Sequence, residues 1–526
     1  MDQPLPTFLS PQRPATLLAR LGEAMRRHRG VILALQWIVV LLYLVLVTVP
    51  AFLPLPGSGA TILGNLTLFA QFLFWGIWWP FVMLSVMLMG RVWCGVLCPE
   101  GALTEWVSRR GLGRTIPRWL RWGGWPFVAF VSTTVYGQLV SVYEYPKATL
   151  LVLGGSTLAA VIVGFLYGKG KRVWCRYLCP ATGVFALLAK IAPVHFRVDE
   201  EAWKRYPGRP RSVDCAPLLD LRHMRSASQC HACGRCSGHR NAIELAARSP
   251  NREILALAPE RNDLGAALLL IFGVLGVALG AFQWTLSPWF VVMKQAAAQW
   301  LVERDSFWLL QDNAPWWLLT HYPEASDVFT WLDGLCILAY IFGTALVVGG
   351  ATWGALRAAQ GLAGAGRFQW KSLAMALVPL AGATVFLGLS MLTLTQLRAE
   401  GITFAWLGAA RAGLLAQVIG KPRQARHLRQ KHRLQRMIDV GLAGEQARGR
   451  PAAIVDFGEP AAARVVDQAC IREGPEPAVP CLVLLLRVQL LQRGHGADRL
   501  GHGPPVAVAD QHPVVVAQRV GEAALA

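Results

Sequence analysis

Arg91-Val-Trp-Cys-Gly-Val-Leu-Cys-Pro99 recurs 81 residues later as Arg172-Val-Trp-Cys-Arg-Tyr-Leu-Cys-Pro180. Each copy follows a pair of apolar runs and leads into an amphipathic stretch, Gly101 to Val107 and Gly183 to Ile191. Two long apolar segments ending in one motif, then repeated, are the pattern of duplicated helical hairpins in a membrane. Such a duplication brings the two motifs side by side on one face.

Outward from the repeat, seven runs approach or exceed the ~20 residues a helix needs to cross hydrocarbon. They cover 31–52, 67–89, 126–145, 148–168, 265–284, 334–356 and 373–397. Of 526 residues, 54% are hydrophobic and only 16% charged, too few charges to cover a soluble surface of that size. The fold class is an all-α polytopic membrane protein, about seven transmembrane helices with cytoplasmic loops, and its obligatory partner is the lipid bilayer. The first run starts near Val31 behind a basic stretch, with no small-residue cleavage site of a signal peptide. The net charge of +20 does not point to nucleic acid, because basic residues cluster beside apolar runs, where topology accounts for them.

Loop charge sets the orientation. The loop 91–124 holds six arginines and the segment 169–264 seventeen Lys plus Arg, whereas 285–332 holds only Lys294 and Arg304. The positive-inside rule puts the N-terminus and both cysteine-bearing loops in the cytoplasm, as expected of a multi-pass bacterial inner-membrane protein. The expected organisation is a cytoplasmic segment 1–30, a four-span region 31–168, a cytoplasmic loop region 169–264 and a three-span region 265–397. Within the last, 285–332 carries Trp289, Trp300, Trp308, Trp316, Trp317 and Trp331. That pattern reads as an interfacial aromatic belt. The tail 407–526 has one aromatic, Phe457, against fifty in 1–406. The segment from Gly401 starts like a further span and breaks at Arg411. Beyond it the composition reads either as a disordered tail or as GC-rich DNA translated in a shifted frame.

Eight of the eleven cysteines lie between Cys94 and Cys236 in spaced groups, which points to metal rather than to disulfides. Cys336 sits in an apolar run and reads as a packing residue. Cys230-His-Ala-Cys233-Gly-Arg-Cys236 has the double Cys-x2 spacing that wraps three thiolates around three corners of an iron–sulfide cube. A [4Fe–4S] cluster needs a fourth ligand. Arg240 stands where a ferredoxin would place the next cysteine, so Cys215 is assigned. Zinc is the alternative for this set, although zinc sites more often use two separated Cys-x2-Cys halves. Arg235, Arg240 and His223 are expected to offset the cluster's negative charge, and His231 and His239 are weaker candidate ligands.

The repeat offers four more thiols, Cys94, Cys98, Cys175 and Cys179. Pro99 makes a turn entering a new helix the expected geometry. A helix N-terminus with Arg91 or Arg172 nearby is expected to lower the thiol pKa values. Together the four would complete a second four-thiolate site. A second cluster, another metal or a pair of redox dithiols stay open. There is no Cys-x2-Cys-His for c-type haem, no histidine in an expected span for haem b, and neither a dinucleotide nor a P-loop motif. Polar residues in or beside the expected spans are few, among them Gln36, Gln71, Gln138, Glu144 and Gln396. Glu144, with Tyr143 and Tyr145, reads as an interfacial residue, a quinol-head contact being the alternative.

The two Cys-x3-Cys-Pro motifs and the ferredoxin-like run, on a multi-span chain, resemble the membrane-bound polyferredoxins of the NosR and NapH type, over roughly 30–260. The resemblance implies electron passage between the quinone pool and redox partner proteins. It gives Cys230, Cys233 and Cys236 a cluster-ligand role and Cys94, Cys98, Cys175 and Cys179 their motif role. The chain departs from the pattern in having a single ferredoxin-like run and no flavin-binding domain ahead of the first span. Nitrous-oxide and nitrate roles are therefore not carried over. The expected function is membrane-bound iron–sulfur electron transfer, by a component rather than a stand-alone enzyme. The alternatives are a copper reduction or delivery factor for oxidoreductase assembly and a redox sensor.

Overall fold

The computed structural model describes residues 16–57, 59–208, 212–250, 252–256, 263–362 and 369–418. A short helix, Leu17–Arg27 (α1), opens the described chain, with the Thr16 hydroxyl accepting from the Ala19 amide at 3.2 Å. Arg29–Phe52 (α2) and Leu66–Met89 (α3) form the first hairpin. Asn65 caps α3 by accepting from the Thr67 and Leu68 amides at 2.9 and 3.2 Å. Gly90 ends it with φ 66°, a left-handed value that costs glycine no side-chain clash and that turns the chain into Arg91. In the first motif Cys98 is the N-cap and Pro99 the first residue of Pro99–Ser108 (α4).

Trp125–Leu139 (α5) and Pro146–Tyr167 (α6) come next, and α6 packs on α4 rather than on α5. The second motif then places Cys179 as N-cap and Pro180 as first residue of Pro180–Leu188 (α7). Three longer helices complete the membrane region: Leu264–Leu286 (α8), Trp331–Leu362 (α10) and Trp370–Ala399 (α11), with Pro288–Val302 (α9) lying between α8 and α10. Among the described residues six helices, α2, α3, α6, α8, α10 and α11, are long and apolar enough to cross a membrane.

The third expected span, 126–145, is the shorter α5, with 15 residues. At 1.5 Å per residue it reaches about 22 Å of a roughly 30 Å hydrocarbon layer. The chain leaves the helix at Val140 and turns through Ser141, whose φ is 48°. That bend packs on the short hairpin His321–Val328: Ser141 Oγ lies 2.7 Å from Thr320 Oγ1, Tyr145 stacks on Tyr322 at 3.6 Å, and the Tyr145 hydroxyl donates to Asp327 at 2.8 Å. Trp289, Trp300, Trp308, Trp316 and Trp317 are exposed on this side.

The centre of the bundle is α8. Its Gly276 and Gly280 lie where a Cβ would come within 2.9 and 3.0 Å of the α10 backbone at Ala345 and Ile341. Small residues thus let two membrane helices approach closely, and Leu270, Ile271, Ile337 and Ile341 are fully buried around them. At the opposite end of the spans from the tyrosine stack, Val194–Val198 (β1) pairs antiparallel with Ile243–Ala247 (β2), Val194 opposite Ala247. This ribbon, which the sequence pattern did not announce, holds the ferredoxin-like loop between its strands. α1 lies against it, with Gly22 so close to Ser237 and Leu245 that a Cβ would meet them at 2.9 and 3.0 Å. Of the expected tail only 407–418 are described. They are helical and run through Arg411, where a break was expected; 419–526 lie outside the described residues.

Candidate functional site

Three cysteine segments meet at this end of the bundle: the two motifs and the ferredoxin-like loop. Cys94 and Cys175 are buried, and Cys98 and Cys179 half-buried, at the starts of α4 and α7. The Cys98 sulfur accepts from the Gly101 amide at 3.4 Å, a thiol serving as helix cap. All four thiols lie within electrostatic reach of one another. In the loop, Cys215 is likewise within reach of Cys230, Cys233 and Cys236. Ala232 and Gly234, between those cysteines, take φ 47° and 75°, which winds the run tightly.

The leading arginine of each motif reaches across to the other copy. Arg91 donates to Thr182 Oγ1 of α7 at 2.7 Å, and Thr182 in turn donates to the Cys175 carbonyl at 2.8 Å. Arg172 donates to the Cys94 carbonyl and, at 2.8 Å, to Glu105 of α4. Gly101 occupies the place that Thr182 holds in the other copy, with the Arg172 guanidinium 3.0 Å from where its Cβ would be. The duplication thus folds as a reciprocal brace.

The same residues grip the ferredoxin-like loop. Arg91 donates to the Ser228 carbonyl at 3.0 Å. Lys171 pairs with Asp214, and the Arg172 amide donates to the Ala216 carbonyl at 2.8 Å, so the Cys215 segment is strapped to the second motif. Glu105 also accepts from Arg235 at 2.6 and 2.8 Å. At Gly95 the approach is closest: a Cβ there would overlap the His231 carbonyl oxygen and lie 2.9 Å from the Cys233 nitrogen. Gln36 of α2, one of the few polar span residues, donates to the Gly95 carbonyl at 2.9 Å. Glycine is required at 95 because two cysteine segments touch there through backbone.

Electrostatics differ from expectation in two respects. Arg172 and Arg91 pull Cys175 down and the Gly101 amide does the same at Cys98, as expected, but burial outweighs them. Burial pushes Cys175 and Cys230 up to about 12, and raises Cys98, Cys179, Cys215 and Cys236, with neighbouring thiols adding to the effect. The protonated thiols would release protons on binding a metal group. Of the three residues expected to offset cluster charge, Arg240 lies over the Trp203 ring at 4.7 Å and His223 is exposed and bonded to Asp220 at 2.6 Å. Arg91 and Arg172 are the buried cations beside the thiols. Glu105, which sequence reasoning did not single out, counters them. Burial alone would raise its carboxyl, but Arg172 and Arg235 hold it at about 2.

Eight cysteines near two buried guanidiniums offer the donor chemistry that thiolate-held iron uses. Among the described residues Arg91 Nε, Arg172 Nη2 and His231 Nδ1 are buried with no hydrogen-bond partner, so the polar lining fits an anionic group among the thiols. Among the described residues no three His, Cys, Asp or Glu side chains converge as around one ion. A cube spreads its four thiolates over four irons, so it does not require that convergence.

This arrangement defines a class. Residues 71–122 and 150–198 match the family described as 4Fe-4S binding domain. Each matched segment contains one Cys-x3-Cys-Pro motif, and both stop short of Cys215. The chain therefore carries a [4Fe–4S]-binding domain, and the resemblance to membrane polyferredoxins holds. It is 23% identical over 233 residues to YccM of Escherichia coli (strain K12), a protein named for electron transport, across 39% of this chain and 64% of that one. It is 26% identical over 188 residues to the regulatory protein NosR of Pseudomonas aeruginosa, across 30% of this chain and 25% of that one. With the ferredoxin-type protein NapH of Haemophilus influenzae the identity is 28% over 133 residues, across 23% and 46%. The matches thus span less than two thirds of each relative's length. No solved structure matches the chain.

Proposed function

We propose that this is a membrane-bound iron–sulfur electron-transfer protein of the bacterial inner membrane. It passes electrons between the quinone pool or a cytoplasmic donor and a redox partner protein. One [4Fe–4S] cluster is held by Cys215, Cys230, Cys233 and Cys236, and a second, shared by the two motifs, by Cys94, Cys98, Cys175 and Cys179. When bound, such clusters supply one-electron redox chemistry. The observation that carries the reading is the backbone contact of Gly95 with His231 and Cys233, which sets the two thiol groups against each other with no side chain between.

The surrounding residues do what electron transfer asks of a protein. Arg91 and Arg172 offer positive charge to an anionic centre in either oxidation state, and Glu105 keeps that charge from being excessive. Burial of Cys94, Cys175 and Cys236 excludes water from the sulfurs. The six and seventeen basic residues of the two cysteine-bearing loops, against two in 285–332, support the cytoplasmic orientation. Reconstituted anaerobically in vesicles with a reduced quinone pool or a reduced soluble donor, the protein should show visible absorption that bleaches on reduction and returns on oxidation. Copper in place of iron, or absorption that no donor bleaches, would contradict this reading.

A further inference from the structure

The geometry points to a binding site for the phosphate headgroup of an anionic phospholipid, in the cavity beside Cys233. That cavity, of about 430 Å³, lies between α1, the first turns of α2, the end of α4 and the Cys233–Arg235 turn. The volume suits a small headgroup. Four guanidiniums line it: Arg26, Arg29, Arg109 and Arg235.

Their charge is only partly met from within the protein. Glu23 accepts from Arg26 at 3.0 Å, and Glu105 accepts from Arg109 at 3.1 Å and from Arg235 at 2.6 Å. Glu105 is also shared with the buried Arg172. Arg29 has no hydrogen-bond or ion-pair partner among the described residues. Arg235, whose side chain is 13% exposed, keeps Nη1 buried without an acceptor. Guanidinium forks with spare N–H groups match phosphate oxygens in pairs.

The apolar wall selects the source of that phosphate. Ile32 and Leu33 line the same cavity and belong to the first turns of α2, where the first span enters the bilayer. Leu33 is 43% exposed. A free phosphate has no use for that wall, whereas a phospholipid lays its acyl chains along it. Basic pockets beside membrane helices hold anionic headgroups in this way. Cys233 and Gly95 also line the cavity, so a seated lipid would cover that thiol from solvent.

Native mass spectrometry of the full chain in mild detergent tests the site, with cardiolipin, phosphatidylglycerol and phosphatidylcholine as probes. The anionic lipids should be retained through delipidation and phosphatidylcholine should not. R26Q combined with R29Q should weaken that retention about thirtyfold, on the scale of two interfacial arginines. R20Q combined with R27Q removes equal charge from α1 away from the cavity and should leave it unchanged, with iron content and membrane insertion as controls in both pairs. Equal loss in both pairs would show mere surface attraction and overturn the site. So would displacement of the lipid by millimolar inorganic phosphate, or preferential occupation by a neutral quinone. Should the first pair fail to insert, the comparison of lipids on the unaltered protein still decides: no preference for anionic headgroups would refute the proposal.

Discussion

Glu105→Gln is the substitution that most directly probes how the three cysteine segments are held together. The carboxylate is 4% exposed and joins α4 to Arg172, the leading residue of the second motif, and to Arg235 in the ferredoxin-like run. The Arg172 side chain is 2% exposed, so it cannot turn to water when its partner loses charge. Removing one partner of a buried ion pair costs ~3–5 kcal/mol, because the other charge stays buried. Glutamine keeps one carbonyl acceptor, which places the cost at the lower end, about 3 kcal/mol. At 1.4 kcal/mol per tenfold change, the site should open roughly a hundredfold more often. The assay is the rate of iron release to a chelator from anaerobically purified protein, in a regime where opening limits release. Arg172→Met on its own should also speed release, and the double variant should be no faster than the Glu105 variant, since the Arg172 charge is then gone and only Arg235 lacks its carboxylate. Release within threefold of the parent for Glu105→Gln, or effects that multiply in the double variant, would refute the brace.

Three further outcomes follow from the same geometry. Gly95→Ala puts a methyl group into the His231 carbonyl and should lower iron content while leaving membrane insertion intact, read by iron assay on membranes and purified protein. Cys98→Ser and Cys179→Ser should each remove the same metal, and the double variant no more; additive losses of titratable thiol with unchanged metal would indicate independent dithiols instead. Deleting residues after 420 should preserve insertion and iron content, because the deleted stretch holds a single aromatic, Phe457, with which to anchor.

The membrane helices were legible because hydropathy over ~20 residues reports burial in lipid directly. The repeat told more, since two copies of one motif imply one structural role. The shortening of the third expected span was less visible. Its cause is the bend at Ser141, fixed by Thr320, a residue 179 positions away. Glu105 was missed for the same reason. An acid in an amphipathic stretch looks like part of a solvated face, and its partners stand 67 and 130 positions later in the chain. The thiol pKa values were read from local features, the arginines and helix starts, whereas burial by distant segments decides their direction. Arg240 and His223 were chosen for nearness in sequence to the cysteines, and the fold turns one onto Trp203 and the other to solvent. The ribbon of β1 and β2 is five residues per strand and separated by the whole ferredoxin-like loop, too little local pattern to announce itself.

Two neighbouring [4Fe–4S] centres, as proposed, are decided by EPR on the reduced protein together with iron and sulfide analysis. The expected content is about eight iron and eight sulfide per chain. The reduced spectrum should be broadened by interaction between two nearby paramagnetic centres and should collapse to a simple signal in Cys233→Ser. Zinc in place of iron, or a full complement of iron giving two sharp, non-interacting signals, would contradict it.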